Sequence, residues 1–89
     1  MLEVKKFGAI WCHGCTLFKD TVWPRLIDKY AQTGIAFIDV DIDNNPQMAQ
    51  EFRILSLPTT VFIKDGIEAY RIVGIQLLKA YEDAIERLK

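Results

Sequence analysis

The period of the apolar residues changes at a pair of cysteines, and this change most constrains the fold of the chain. Residues 2–10 have the pattern of a strand with apolar side chains on both faces, as in a central strand covered on both sides. From Phe18 to Tyr30 an apolar residue recurs every four positions, which is typical of an amphipathic helix. Cys12 and Cys15, the only two cysteines, lie between them, where the strand ends and the helix begins.

The rest of the sequence predicts a small α/β domain that spans residues 1–89. Pro24 lies inside the helical stripe, so we expect the helix to kink or restart there and to end at Gly34. The next predicted elements are a strand at residues 35–42 and a short helix that is capped by Asn45, begins at Pro46 and buries Met48, Ala49 and Phe52. They are followed by strands at residues 59–63 and 67–73, which a turn at Asp65–Gly66 joins, and by a closing helix at residues 77–88. The order β-α-β-α-β-β-α, with a right-handed first crossover, predicts a four-stranded mixed sheet flanked by three helices.

Composition and charge exclude several classes of function. Of the 89 residues, 51% are apolar and 26% are charged, which is typical of a globular domain. The net charge of -1 gives nucleic acid and anionic membranes no electrostatic reason to bind. The longest apolar run is far too short for a membrane span, and the N-terminal residues lack a signal core. We therefore expect a cytoplasmic monomer.

The two cysteines are placed for redox chemistry. A disulfide that closes a loop of two intervening residues restrains very little of the unfolded chain, so a scaffolding role is disfavoured. At a helix start, the unpaired N–H groups and the helix dipole stabilise a thiolate, which favours Cys12 as an exposed nucleophile. Cys15 follows one turn later on the same side, where it can attack a mixed disulfide formed at Cys12.

The main alternative to redox chemistry is that these cysteines bind a structural metal ion. A zinc site needs four donors, whereas the chain has two cysteines and one histidine, and His13 lies between the cysteines. A carboxylate would have to complete the site. Two idle thiols, or a cluster that bridges two subunits, are further alternatives. We expect neither a metal nor a cofactor beyond the redox-active Cys12–Cys15 pair.

Five segments together resemble the thioredoxin family over nearly the whole chain. They are Trp11-Cys12-His13-Gly14-Cys15, residues 40–46 (Val-Asp-Ile-Asp-Asn-Asn-Pro), residues 56–60 (Ser-Leu-Pro-Thr-Thr), Asp65-Gly66 and Val73-Gly74. The chain begins at the strand that leads to the cysteines, whereas longer members of the family have an additional strand and helix before it. It therefore resembles the minimal form of the thioredoxin fold.

The resemblance also implies a function and a substrate-binding surface. It implies a thiol–disulfide oxidoreductase that reduces protein disulfides and receives electrons from a thioredoxin reductase or another dithiol donor. A cis peptide bond would precede Pro58, and the backbone at Leu57 would pair with an extended substrate segment. Trp11, Pro58 and Gly74 would form an apolar rim around Cys12; the alternative for Trp11 is ordinary core packing.

The dipeptide between the cysteines departs from the family pattern. It is His13-Gly14, where ordinary thioredoxins have Gly-Pro. A protonated imidazole beside Cys12 would stabilise the thiolate and hence the reduced form, so we expect a protein that is less reducing than a standard thioredoxin. Alternatively, His13 is a solvated side chain without influence on the potential.

A second departure is an exchange of charges. Thioredoxins commonly have a buried Asp six residues before the nucleophile and a Lys near it on the neighbouring strand; the matching positions here are Lys6 and Asp39. We hypothesise that the ion pair is present with its signs exchanged and that Asp39 accepts a proton near Cys15. In the alternative interpretation, Lys6 extends to solvent and Asp39 is a surface carboxylate.

Two other functions fit a domain of this size. Glutaredoxins usually have Thr-Val before the cis-proline and Gly-Gly-Asp before the last helix, whereas this chain has Ser56-Leu57 and residues 73–76 (Val-Gly-Ile-Gln). These differences favour the thioredoxin resemblance, so a glutathione-dependent oxidoreductase is the second hypothesis rather than the first. The third is a binding module that uses the fold without turnover, which the intact cysteine pair argues against.

Overall fold

One mixed sheet of four strands organises the chain. The structure is a computed structural model that describes residues 1–89. Its elements are β1 (Leu2–Gly8), α1 (His13–Thr21), α2 (Trp23–Lys29), β2 (Ala36–Asp41), α3 (Pro46–Glu51), β3 (Thr59–Lys64), β4 (Ile67–Val73) and α4 (Leu78–Leu88). The strand order is β2-β1-β3-β4, with β1 parallel to β2 and the other two pairs antiparallel. The predicted fold class is confirmed.

The predicted first helix is two helices, so the sheet is flanked by four helices rather than three. The first helix ends before Val22, and α2 begins at Trp23 with Pro24 in its first turn. The N–H groups of the first helical turn have no partner within the helix, so a proline at this position costs no hydrogen bond. A new helix can therefore begin here, whereas the first helix cannot continue through Pro24. The expected end at Gly34 was wrong, because α2 ends at Lys29 and a turn follows.

The two faces of the sheet have separate apolar clusters. The larger contains 11 buried residues, among them Phe18 of α1, Leu26 of α2 and Tyr81 of α4. The smaller contains Phe7, Val40, Val61 and Ile63, with side chains of the α3 region packed against it.

Two expectations about α3 were wrong. Met48, Ala49 and Phe52 are only partly buried, because a helix of six residues is the only one that covers this face. Asn45 occupies the N-cap position but does not cap with its side chain; its Nδ2 donates instead to the Asp41 carbonyl oxygen at 3.0 Å. No helix has the length and apolar character needed to span a lipid bilayer.

Candidate active site

The cysteine pair lies where the chain leaves β1 and enters α1. Cys12 is the N-cap of α1 and has an extended backbone, and its Sγ accepts a hydrogen bond from the N–H of Cys15 at 3.2 Å. The two residues form a disulfide, with their Cα atoms 5.2 Å apart. Cys12 is partly exposed and Cys15 is buried. An incoming sulfur atom can therefore reach Cys12 far more readily than Cys15.

The turn before β3 and the loop after β4 lie against the cysteine loop. The Leu57–Pro58 peptide bond is cis, as the family resemblance implies. The N–H of Gly74 donates to the Pro58 carbonyl oxygen at 2.7 Å, and Gly74 has a φ of 81°, which favours glycine. A Cβ placed on Gly14 would lie 3.5 Å from Pro58 Cδ and 3.3 Å from Ile75 Cδ1. The predicted rim residues Pro58 and Gly74 are thus brought together beside the cysteines.

Trp11 lies on the surface and is not a core residue. Its side chain is 65% exposed, and its Nε1 donates to Asp43 Oδ2 at 2.9 Å. Sequence reasoning missed the role of Asp43, although it lies within the segment 40–46 that carries the resemblance. The neighbouring residue Ile10 is also exposed. Two exposed apolar side chains therefore directly precede Cys12 in the chain.

The other two predicted residues near the disulfide differ in their surroundings. His13 is the first residue of α1 and is exposed. Leu57 is half-buried, and its side chain packs against the smaller apolar cluster; with Pro58 it directly precedes β3.

Lys6 and Asp39 form the ion pair with exchanged signs. They are direct partners in the parallel register of β1 and β2, and Lys6 Nζ lies 2.9 Å from Asp39 Oδ1. The Lys6 residue is only 3% exposed, whereas the Asp39 side chain is 48% exposed. The Lys6 ammonium also lies 5.4 Å from the centre of the Trp23 ring. The interpretation in which Lys6 extends to solvent was wrong.

A cleft of about 400 Å³ connects this ion pair with the resolving cysteine. Its walls include Lys6, Asp39, Cys15 and Gly8, together with the exposed side chains Lys19 and Asp20. A Cβ on Gly8 would lie 3.2 Å from Cys15 Sγ, so glycine keeps the space beside the sulfur open. A glycine inside a strand often marks such a close approach, and this signal in the sequence was not used.

The arrangement can perform two-electron exchange between sulfur atoms. The nucleophilic sulfur is accessible, a second sulfur lies one helical turn away, and a carboxylate shares a cleft with that second sulfur. Nowhere in the chain do three or more His, Cys, Asp or Glu side chains form a group that could hold a metal ion.

The sequence and the fold are similar to those of known thioredoxins. The sequence model of the Thioredoxin family matches residues 2–87. A thioredoxin from Mycolicibacterium smegmatis is 37% identical over 83 residues, which are 89% of this chain and 74% of that protein. A bifunctional thioredoxin reductase/thioredoxin from Mycobacterium leprae is 33% identical over 86 residues, covering 92% of this chain and 18% of that one. The X-ray structure of Fasciola hepatica thioredoxin superposes with a TM-score of 0.87 at 33% identity, covering 99% of this chain and 81% of that one.

The family match and the site geometry agree. The matched residues 2–87 include all four strands and both cysteines, and the disulfide lies at the N-terminus of α1 next to a cis-proline. The chain belongs to the thioredoxin family and is a thiol–disulfide oxidoreductase that works through its own Cys12–Cys15 dithiol–disulfide pair.

Proposed function

We propose that the protein is a cytoplasmic, monomeric electron carrier that reduces disulfides in other proteins and is itself reduced by a flavin-dependent thioredoxin reductase. The observation that carries the proposal is the disulfide between a partly exposed Cys12 and a buried Cys15, preceded by the exposed Trp11. The Mycobacterium leprae relative, by its name, combines a thioredoxin with a thioredoxin reductase in one chain, which supports a reductase as the donor.

The reaction proceeds through one mixed disulfide. The Cys12 thiolate attacks one sulfur of the substrate disulfide, forms a new S–S bond and releases the other substrate sulfur as a thiolate, which takes a proton. The Cys15 thiolate then attacks Cys12 Sγ and releases the second substrate thiolate. The substrate gains two electrons, and the protein is left as the Cys12–Cys15 disulfide. The N–H of Cys15, which lies 3.2 Å from Cys12 Sγ, stabilises the attacking thiolate.

The substrate segment lies along the cis-proline turn beside Cys12. The backbone of Leu57 pairs with the extended segment, and Trp11, Pro58 and Gly74 contact its side chains. The hydrogen bond from Trp11 Nε1 to Asp43 fixes the orientation of the indole. Because Trp11 is 65% exposed, its ring is available for such a contact.

Asp39 is the proton acceptor for Cys15. Its carboxylate is half-exposed in the cleft that also reaches Cys15, so a proton can pass between them and on to solvent. The Asp39→Asn variant should release mixed disulfides more slowly than wild type. Asp20→Asn is the matched control, because Asp20 borders the same cleft without an ion pair to Lys6. Equal release rates for both variants and wild type would contradict this role of Asp39.

The proposed function is tested by turnover and by trapping. In an insulin-reduction assay driven by dithiothreitol, wild type should be active and Cys12→Ser inactive. Cys15→Ser should accumulate mixed disulfides at Cys12, and mass spectrometry of these adducts identifies the protein substrates. NADPH with a thioredoxin reductase should sustain turnover. Turnover supported only by glutathione would favour the glutaredoxin-like alternative, and no insulin reduction at all would favour a binding module.

A further inference from the structure

Tyr81 connects the buried core to the loop that borders the active site. This residue of α4 is completely buried, and its ring packs against Phe18 of α1 with the ring centres 5.1 Å apart. Its hydroxyl donates to the Gly74 carbonyl oxygen at 3.3 Å and accepts from the N–H of Gln76 at 3.2 Å. One hydroxyl group therefore binds the main chain on both sides of Ile75.

This contact matters because of where Ile75 lies. A Cβ on Gly14, between the two cysteines, would lie 3.3 Å from Ile75 Cδ1, so this side chain lies against the cysteine loop at Gly14. The N–H of Gly74 is already tied to the Pro58 carbonyl oxygen at 2.7 Å. The Tyr81 hydroxyl supplies the remaining two main-chain bonds of the loop, and Ile75 is held as a partly exposed apolar side chain.

We propose that Tyr81 is a positioning residue for protein substrates: its hydroxyl fixes the loop of residues 74–76 so that Ile75 and Gly74 present a preformed apolar edge to the substrate segment. The proposal rests on the proposed function, since only a substrate that extends along this edge can sense its position. A preformed edge strengthens binding because the loop is not ordered at the moment of binding.

The protonation state of the tyrosine suits this role. Burial raises the pKa of Tyr81 above its ordinary value, although the hydrogen bond from the Gln76 N–H lowers it in part. The hydroxyl therefore keeps its proton at neutral pH, and the donation to the Gly74 carbonyl oxygen persists.

The test distinguishes the contribution of the Tyr81 hydroxyl from that of its ring. Tyr81→Phe keeps the packing against Phe18 and removes both hydrogen bonds. We expect its KM for insulin to rise about 3- to 10-fold, the loss typical of one or two hydrogen bonds, with kcat within about twofold of wild type. The rate with the small disulfide 5,5′-dithiobis(2-nitrobenzoate), which needs only the Cys12 sulfur, should change far less than the KM for insulin.

Tyr30→Phe is the matched control. The Tyr30 hydroxyl donates to Glu86 of α4 at 2.7 Å and makes no hydrogen bond to residues 74–76, so this variant also loses a hydroxyl that is bonded to α4. Its KM for insulin should equal that of wild type. Ile75→Ala should raise KM as Tyr81→Phe does. In amide hydrogen exchange, Gln76 should exchange faster in Tyr81→Phe, because its acceptor is gone.

Three results would overturn the proposal. These are an unchanged KM for insulin in Tyr81→Phe, an equal loss of rate with the small disulfide, or an equal rise of KM in Tyr30→Phe. A wild-type protein that does not reduce insulin would contradict the proposed function instead, so the two failures are distinguishable.

Discussion

Removing one partner of the Lys6–Asp39 pair should have very different effects on stability depending on which partner is removed. Lys6 is almost completely buried, whereas half of the Asp39 side chain is in water. In Asp39→Asn, the ammonium stays buried without a counter-charge. In Lys6→Met, the carboxylate that remains is solvated, and an apolar side chain of similar length occupies the interior.

The magnitudes follow from this asymmetry. Breaking a fully buried ion pair by removing one partner costs about 3–5 kcal/mol. Because Asp39 is half-exposed and the amide still accepts a hydrogen bond, we expect Asp39→Asn to lower the free energy of unfolding by about 2 kcal/mol. In a domain of 89 residues this corresponds to a fall in Tm of roughly 8–16 °C. Lys6→Met should change the free energy of unfolding by less than about 1 kcal/mol, since apolar replacements of buried ion pairs are often neutral.

Urea denaturation of the oxidised proteins at pH 7 measures these differences, and the double variant completes the cycle. Lys6→Met with Asp39→Asn should be nearly as stable as Lys6→Met alone. Asp83→Asn is the control, because its partner Lys79 is 80% exposed and such a pair contributes at most about 0.5 kcal/mol. The reasoning is refuted if Lys6→Met destabilises the protein as much as Asp39→Asn does.

Three shorter predictions concern other contacts. Gly8→Ala should lower the free energy of unfolding by about 1–3 kcal/mol in urea denaturation, because its Cβ would lie 3.2 Å from Cys15 Sγ. An unchanged free energy of unfolding would contradict this, since it would mean that Cys15 can move away without loss of stability. His13→Gln replaces the imidazole next to Cys12 with a neutral amide, so equilibration with glutathione should give a midpoint potential roughly 20 mV more negative, and an equal potential would leave His13 without influence. The hydrogen bond from Arg71 lowers the pKa of the Glu68 carboxyl, so this contact contributes stability above about pH 4.5 that is lost as the pH falls through the lowered value. Glu68→Gln should therefore be less stable than wild type at pH 7 and equally stable near pH 2 in urea titrations; a difference that persists at pH 2 would contradict the assignment.

Elements that depend on local sequence were predictable. The apolar period located β1 and the stripe from Phe18 onward, and Pro24 marked the restart of the helix because its effect on the backbone is local. The family resemblance supplied the cis bond before Pro58, which the residues alone indicate only as a turn or strand edge. The burial of Phe52 could not be judged in this way, because it depends on how much of the sheet a six-residue helix covers.

The site was predictable where a motif carries it and unpredictable where distant segments meet. Cys12 and Cys15 lie in one stretch, and strand register brings Asp39 to Lys6. By contrast, Trp11 and Asp43 are 32 positions apart, and only the folded chain shows their hydrogen bond. Tyr81 has the apolar spacing of a core residue, which hides the use of its hydroxyl.

The position of Cys12 as the helix cap makes α1 part of the redox couple. A Cys12 thiolate in the reduced protein would accept a charge-assisted hydrogen bond from the N–H of Cys15, whereas in the oxidised protein this N–H faces a neutral sulfur. The first turn of α1 is therefore held more firmly after reduction. Folding and reduction share one thermodynamic cycle, so each 1.4 kcal/mol by which the reduced fold gains over the oxidised fold raises the midpoint potential by about 30 mV. Comparing the unfolding of the two forms then reports how far the potential of the folded couple differs from that of the unfolded chain, and a substitution along α1 can shift this difference without touching either sulfur.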